Sequence, residues 1–251
     1  MDVLCDQTSL AHATSVRSCE WVDGRRTVLE FGRNETGSPS LEHQRMFLQT
    51  LNIEAKEAFL VKQIHSDRVY VLSDPQTRPA DVSMLEADAL ITHLTDRPIA
   101  VLTADCLPVV LYDRRRHVAG AVHAGRQGTL ERITSKAVMS MRREYGSSPE
   151  DILVGFGPAI GGCCYEVGAD CIEPFRKEYP EWEQFSTECG NGKFMLDINQ
   201  ANEQDAREAG IPLGNIIRSG QCTCCETERF FSYRRDGTKG RMMTLVMLRS
   251  R

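Results

Sequence analysis

The sequence predicts an α+β fold, a single domain of mixed β-sheets with flanking helices, spanning residues 1–251. Three observations carry this. Short apolar runs rich in β-branched residues recur between turn residues, as buried strands do. Stretches with helical spacing are interspersed among them without regular βαβ alternation. No repeat, low-complexity segment or linker divides the 251 residues, a length sufficient for one large core.

In chain order, residues 1–20 alternate weakly and read as a surface strand and turn. Val22 to Phe31 carries an Asp23-Gly24 turn signal and reads as a hairpin, followed by a polar loop from Gly32 to Ser40. Ser40 is placed to cap a helix with Leu41, Arg45, Leu48 and Leu51 on one face and Phe47 nearby. Phe59 to Ile64 and Val69 to Leu72 read as two strands with His65 at the turn, and Pro75 to Val82 as a loop. Strands follow at Ala89 to Thr92, Ile99 to Leu102, Val109 to Tyr112 and Val118 to Val122, with Asp113 to His117 a solvated hairpin tip. Thr129 is expected to cap a helix ending near Gly146. Then come a strand at Ile152 to Phe156, a glycine-rich loop, and a helix from Asp170 stopped near Pro180. Glu181 to Lys193 reads as irregular, Leu196 to Ala209 as a helix, and Ile216-Ile217 and Met242 to Leu248 as strands.

Composition narrows the function. A formal net charge of -5 argues against a nucleic-acid partner, and no apolar run reaches the roughly 20 residues of a membrane helix. The N-terminus MDVLCDQTSL has no continuous apolar core, so no secretion signal is expected. The ten cysteines are accordingly expected to be reduced thiols of a cytoplasmic protein.

The stretch from Ile99 to Gly128 concentrates candidate chemistry. Cys106 lies in the link between two strands, and His123 just past a third, before Gly125 and Gly128. With His65 they offer three ligands of a catalytic zinc, which keeps one position open. The same residues suit a thiol nucleophile paired with a histidine base. The residues alone leave both readings open, beside a third in which Cys106 fills the core. A structural zinc drawn from Cys163, Cys164, Cys222, Cys224 and Cys225 is also conceivable, but adjacent cysteines are awkward ligands and ordinary thiols are expected.

Six motifs, in order, resemble a known family. They are KQIHSDRV from Lys62, EADALIT from Glu86, VLTADCLPVVLYD from Val101, VAGAVHAG from Val118, GPAIGGCCYEVG from Gly157 and FFSYRRDGTKGRM from Phe230. The family is the laccase-domain, YfiH-like family, also known as polyphenol oxidase or peptidoglycan editing factor. The resemblance covers the chain from about Ala58 onward. It implies phosphorolysis of purine nucleosides (adenosine, inosine, guanosine, methylthioadenosine) and deamination of adenosine in the same site. It also implies a Zn2+ held by His65, Cys106 and His123, with purine nucleosides and inorganic phosphate as partners and no role for membrane or nucleic acid.

Two features depart from the family pattern. Where the family continues HAGWRG, this chain has Arg126 and Gln127, and the glycine-rich GGVS segment and an asparagine-leucine pair are missing near the N-terminus. HATSVR, from His12 to Arg17, resembles the family's early motif and makes Arg17 a candidate substrate contact. Phosphate contacts are expected from the loop after His123, with Arg126 and Arg234 or Arg235. Asp105, next to Cys106, is the candidate proton shuttle or a support for that ligand, though it could equally cap a turn, and Ser66 is a candidate substrate contact. Two other classes keep the same trio: a zinc or cysteine-histidine hydrolase acting on a cell-wall precursor amide, and a non-catalytic metal-binding protein. A multicopper oxidase needs more well-placed histidines than the six in this chain provide.

Overall fold

In the computed structural model, which describes residues 9–20, 26–32, 40–237 and 240–250, the apolar runs become strands buried on both faces. The strand Leu107–Asp113 shows how this arises. Val109 and Leu111 enter one apolar cluster, Val110 and Tyr112 another. Successive side chains point to opposite faces, so a strand between two cores needs apolar residues throughout.

Leu107–Asp113 pairs antiparallel with Val118–Ala124 on one edge and Ile152–Phe156 on the other. Ala89–Thr92 joins antiparallel to Val118–Ala124, while Val69–Leu72 and Ile216–Arg218 add in parallel at the outer edges. The result is a mixed six-stranded sheet. A second, antiparallel sheet of three strands has Met242–Leu248 between Leu10–Thr14 and Ile99–Thr103. Val101 and Val246 of this sheet pack toward the six-stranded sheet. Leu102 and Leu245 point the opposite way, onto Phe47 and Leu48 of the helix Leu41–Thr50. The far face of the six-stranded sheet is covered by the helices Ile133–Tyr145, Ala169–Glu178 and Ile198–Glu208, through residues such as Met141, Phe175 and Ala201. Full burial of each large apolar side chain contributes about 1.5–3 kcal/mol. The α+β class and its mixed sheets are as the sequence predicts. No helix among the described residues is long and apolar enough to cross a membrane.

Several elements differ from expectation. Leu10–Thr14 is buried along its whole length, His12 included, because its partner strand lies at the opposite end of the chain. The N-terminal hairpin pairs Ser18–Glu20 with Arg26–Val28; its Asp23-Gly24 tip, like the loop at 33–39, lies outside the described residues. In Leu41–Thr50 the buried face is Gln44, Phe47 and Leu48, and Leu41 and Arg45 are exposed. Gln44 is held inward because its side-chain oxygen accepts the Ala58 N–H. The Phe59–Ile64 segment forms only isolated bridges, from Phe59 to Ile99 and from Lys62 to Glu86. Pro79–Val82 is a short helix rather than loop, with proline at its first position and Asp81 bonded back to the Arg78 N–H. Within the polar segment after Pro180, Ser186–Gly190 pairs with Lys193–Leu196, which also pairs with Glu166–Gly168. Thr187, Glu188 and Lys193 point outward, and Phe194 and Leu196 point in.

The helix expected from Thr129 starts earlier and is broken. Arg126–Leu130 is one helix and Ile133–Tyr145 the next, with Arg132 between them at φ 60°. Arg132 bonds to Glu178 and Glu208 and stacks over the Tyr179 ring, which holds the break open. Thr129 caps nothing. It is buried in the first helix, where its hydroxyl accepts a bond from Asn202. The second helix ends at Gly146 in the left-handed conformation, as the sequence predicts.

Candidate active site

The chain leaves the three-stranded sheet at Thr103 and enters the six-stranded one at Leu107. Asp105 and Cys106 occupy this crossing, and Asp105 has φ 91°. His123 lies near the end of Val118–Ala124, opposite Pro108 in the ladder. His65 reaches the same place from a loop and has φ 61°. Left-handed backbone at two non-glycine residues is costly, and it persists where the surroundings over-determine it.

Asp88, at the mouth of Ala89–Thr92, supplies much of that determination. Its fully buried carboxylate accepts the backbone N–H groups of Ile64, His65 and Ser66, and the Ser66 hydroxyl. It also faces His123 Nδ1 at 2.8 Å. One carboxylate therefore shapes the His65 loop and fixes the His123 ring. Burial pushes the Asp88 carboxyl up, but His123 and Ser66 outweigh it and hold the group at about 2. Asp88 holds the Nδ1 proton and so directs Nε2 of His123 to the cavity; once the Nε2 proton is lost, that nitrogen is the acceptor a metal ligand needs.

His65, Cys106 and His123 each bring a donor atom within 4.8 Å of the others. Cys106 Sγ lies 3.7 Å from His65 Nε2. Zinc bonds of about 2.3 Å to sulfur and 2.0–2.1 Å to nitrogen put tetrahedral ligands about 3.6 Å apart, so the spacing fits. Burial disfavours the charged forms. Even so, the imidazoles draw the Cys106 thiol down to about 6, while Cys106 and Asp88 raise His123 to about 9. The thiol is thus prepared as thiolate, the form that binds metal. His123 is buried and His65 exposed, so the group is closed behind and open in front. Gly125 makes the approach possible, since a Cβ there would sit 2.8 Å from His65 Cδ2 and 3.1 Å from Cys106 Sγ.

The open side faces a cavity of about 720 Å³, lined also by Arg126, Tyr165, Tyr233, Arg234 and Arg241. Among the described residues, no carboxylate pairs with Arg126 or Arg234. The Arg234 guanidinium donates to the Glu166 carbonyl and lies over the Tyr165 ring. The cavity is the right size for a small metabolite, and its charged rim favours an anionic group.

Of the residues singled out from sequence, His65, Cys106, His123, Asp105, Arg126 and Arg234 meet at this cavity. Both Asp105 carboxylate oxygens are engaged, one by the Thr223 hydroxyl and one by the Arg234 N–H. Arg17, Ser66 and Arg235 do not line the cavity. Arg17 lies over Phe231 and bonds to the Thr227 carbonyl. Ser66 spends its hydroxyl on Asp88. Arg235 braces the Thr223, Cys224 and Phe230 carbonyls. The glycine loop after His123 is the first turn of a helix, with Gly125 as its cap. Sequence reasoning missed Asp88 and Arg241, although both lie inside quoted motifs. The cysteines expected to be ordinary thiols do cluster: Cys163, Cys164, Cys222 and Cys225 come together without Cys224, and the CxxC spacing of Cys222 and Cys225 is the signal for it.

Comparison with known proteins finds relatives along most of the chain. The model of the family described as multi-copper polyphenol oxidoreductase laccase matches residues 24–249. Adenosine deaminase RL5, from an unknown prokaryotic organism, is 36% identical over 201 residues, 77% of this chain and 76% of that protein. A purine nucleoside phosphorylase of Aquifex aeolicus is 37% identical over 193 residues, 77% of this chain and 84% of its own. The crystal structure of the hypothetical protein YfiH of Bacillus licheniformis superposes with a TM-score of 0.86 at 30% identity, covering 96% of this chain and 93% of that one. YlmD of Geobacillus stearothermophilus gives 0.85 at 26% identity, covering 97% and 93%. A family model that spans nearly the whole chain, relatives at up to 37% identity and a mixed-sheet fold superposing along most of its length identify the chain as a member of the laccase-like, YfiH family.

Proposed function

We propose that the cavity binds a purine nucleoside beside inorganic phosphate and releases the purine base as ribose 1-phosphate forms, and that adenosine is also deaminated there. The observation that carries this reading is an open three-ligand metal group on the floor of an arginine-rimmed cavity. The names of the relatives support it. The nucleosides expected as substrates are adenosine, inosine, guanosine and methylthioadenosine.

In phosphorolysis a phosphate oxygen bonds to C1′ while the C1′–N9 bond breaks, its electron pair leaving with the purine, which takes up a proton. Arg126, Arg234 and Arg241 hold the phosphate as a charged nucleophile and position it for attack. Tyr165, with Arg234 stacked on its ring, offers a flat surface for the base. In deamination, water oxygen adds to C6 of adenine and ammonia leaves, giving inosine. His65, Cys106 and His123 would hold a zinc ion, which would supply a Lewis acid able to make water nucleophilic at neutral pH. Asp88 keeps His123 in the ligating tautomer. Asp105, joined to the Arg234 N–H, positions that arginine and the Cys106 turn, and any proton shuttling by it requires release of one of those bonds. Arg17, Ser66 and Arg235 act on this site through the loops that they brace.

Adenosine incubated with and without phosphate tests the reading. Adenine and ribose 1-phosphate formed only with phosphate, and inosine formed without it, are the expected products. A zinc-loaded protein that turns over no purine nucleoside would sink it. Release of an amino acid from a cell-wall precursor, independent of phosphate, would favour the hydrolase reading. Among the described residues, His65 and His123 alone of the six histidines belong to a metal-competent group, which gives no support to a multicopper oxidase.

A further inference from the structure

A second group of cysteine side chains lies apart from the His65, Cys106 and His123 trio and shares no residue with it. Cys163 and Cys164 come from the glycine-rich loop after Phe156, Cys222 and Cys225 from the segment after Arg218. All four sulfurs lie within 4.8 Å of one another. We propose that these four cysteines form a closed, structural site for a single zinc ion.

The sulfur separations are the main argument. Cys164 to Cys225 is 3.4 Å, and Cys163 lies 3.7 Å from both Cys164 and Cys225. A tetrahedron with zinc–sulfur bonds of about 2.3 Å has edges of about 3.8 Å. A disulfide holds its sulfurs about 2.05 Å apart and joins two cysteines, not four. Single-ion tetrahedral sulfur sites suit zinc.

The backbone around the group favours sulfur at one corner. The Gly161 N–H donates to Cys222 Sγ at 3.3 Å. A Cβ at Gly161 would be tight against Cys163 Sγ at 3.2 Å and in ordinary contact with Cys222 Sγ at 3.6 Å, so the glycine backbone packs directly on the sulfurs. Two of the four residues are exposed and two half-buried, so the group is not apolar core filling.

The position gives the site a task. Its ligands come from two loops about 60 residues apart, and the protein joins these loops with little else than a bridge between Ala159 and Cys222 and flanking backbone bonds. Thr223, inside the CxxC turn, donates its hydroxyl to Asp105, next to Cys106. Arg235 bonds to the carbonyls of Thr223 and Cys224 and so ties the Arg234 helix to the same turn. A zinc ion here staples one wall of the cavity without entering it.

The test uses the full chain with Cys106→Ala, which disables the other site. The metal-free protein is titrated with Co2+ alone. One equivalent should bind with intense sulfur-to-cobalt charge-transfer absorption and a tetrahedral visible spectrum, and one equivalent of Zn2+ should displace it. Adding Cys222→Ser and Cys225→Ser should lower the bound cobalt at least tenfold. Should that variant fail to fold, X-ray absorption of the zinc-loaded Cys106→Ala protein decides, with four sulfur neighbours at about 2.3 Å expected. Cobalt bound without charge transfer, fewer than three sulfur neighbours, iron in place of zinc in the isolated protein, or a disulfide within the four cysteines would each overturn the proposal.

Discussion

Asp88→Asn removes one acceptor while keeping the side chain's shape, and its consequences can be worked through. Oδ1 of Asp88 serves the His65 N–H and His123 Nδ1; Oδ2 serves Ile64, Ser66 N–H and the Ser66 hydroxyl. An asparagine amide satisfies one side and turns an NH2 group toward donors on the other. If the NH2 faces His123, the ring must shift its proton to Nε2, and the metal loses a ligand. If it faces Ile64 and Ser66, the loop that carries His65 loses its anchor. Both routes weaken the three-ligand site, by roughly 10–100-fold as for other groups that orient metal-binding histidines. A buried donor left unsatisfied also costs about 1–3 kcal/mol of folding stability.

The assay is zinc competition against a chromophoric chelator, in a Cys222→Ser, Cys225→Ser background so that only the trio binds. Urea unfolding of the same proteins reads stability. The pH dependence adds an independent check. The Asp88 carboxyl sits at about 2 in the folded protein against 3.8 ordinarily. A depressed carboxyl stabilises the fold above the unfolded value and loses that contribution as pH falls from about 4 toward 2. The difference is worth on the order of 2 kcal/mol. The variant should therefore lose less stability than the parent over that range. A zinc Kd within twofold of the parent, together with an unchanged acid limb, would refute the role given to Asp88.

Three further outcomes follow from the geometry. Gly125→Ala should reduce zinc affinity at the trio at least tenfold in the same competition assay, because the new Cβ displaces His65 and Cys106. In metal-free protein, alkylation of Cys106 by iodoacetamide, followed by peptide mass spectrometry, should show a midpoint well below that of an ordinary thiol, near 6, and zinc should protect it. Arg126→Ala or Arg234→Ala should raise the KM for phosphate at least tenfold, with a smaller effect on the KM for nucleoside, since each removes a guanidinium from the cavity rim.

The parts of this molecule visible in its sequence are those decided locally. Leu107–Asp113 is recognisable because both of its faces are buried and no polar residue is tolerated before Asp113. The trio is recognisable because Cys106 and His123 sit at strand ends, where a scaffold holds side chains into a cavity. Pairings across long separations are hidden. Leu10–Thr14 looks like a surface strand because nothing near it in sequence reveals that it pairs with Met242–Leu248. Asp88 is hidden for a different reason. An aspartate before a strand is common at turns, and only the folded loop shows five donors converging on it. The four cysteines were half visible, since a CxxC pair marks one side of the cluster and adjacent cysteines the other.

The departure after His123 is resolved by the helix that starts there. Where the family usually continues HAGWRG, Arg126 here begins the helix and lines the cavity, while Gln127, one residue further round, bonds to Glu131. Successive helical residues point about 100° apart, so an arginine at 126 and one at 127 address different surroundings. The shift therefore changes the direction from which a guanidinium enters the cavity. Charge at the rim is retained, and an aromatic side chain is lost from the place beside the His65, Cys106 and His123 trio.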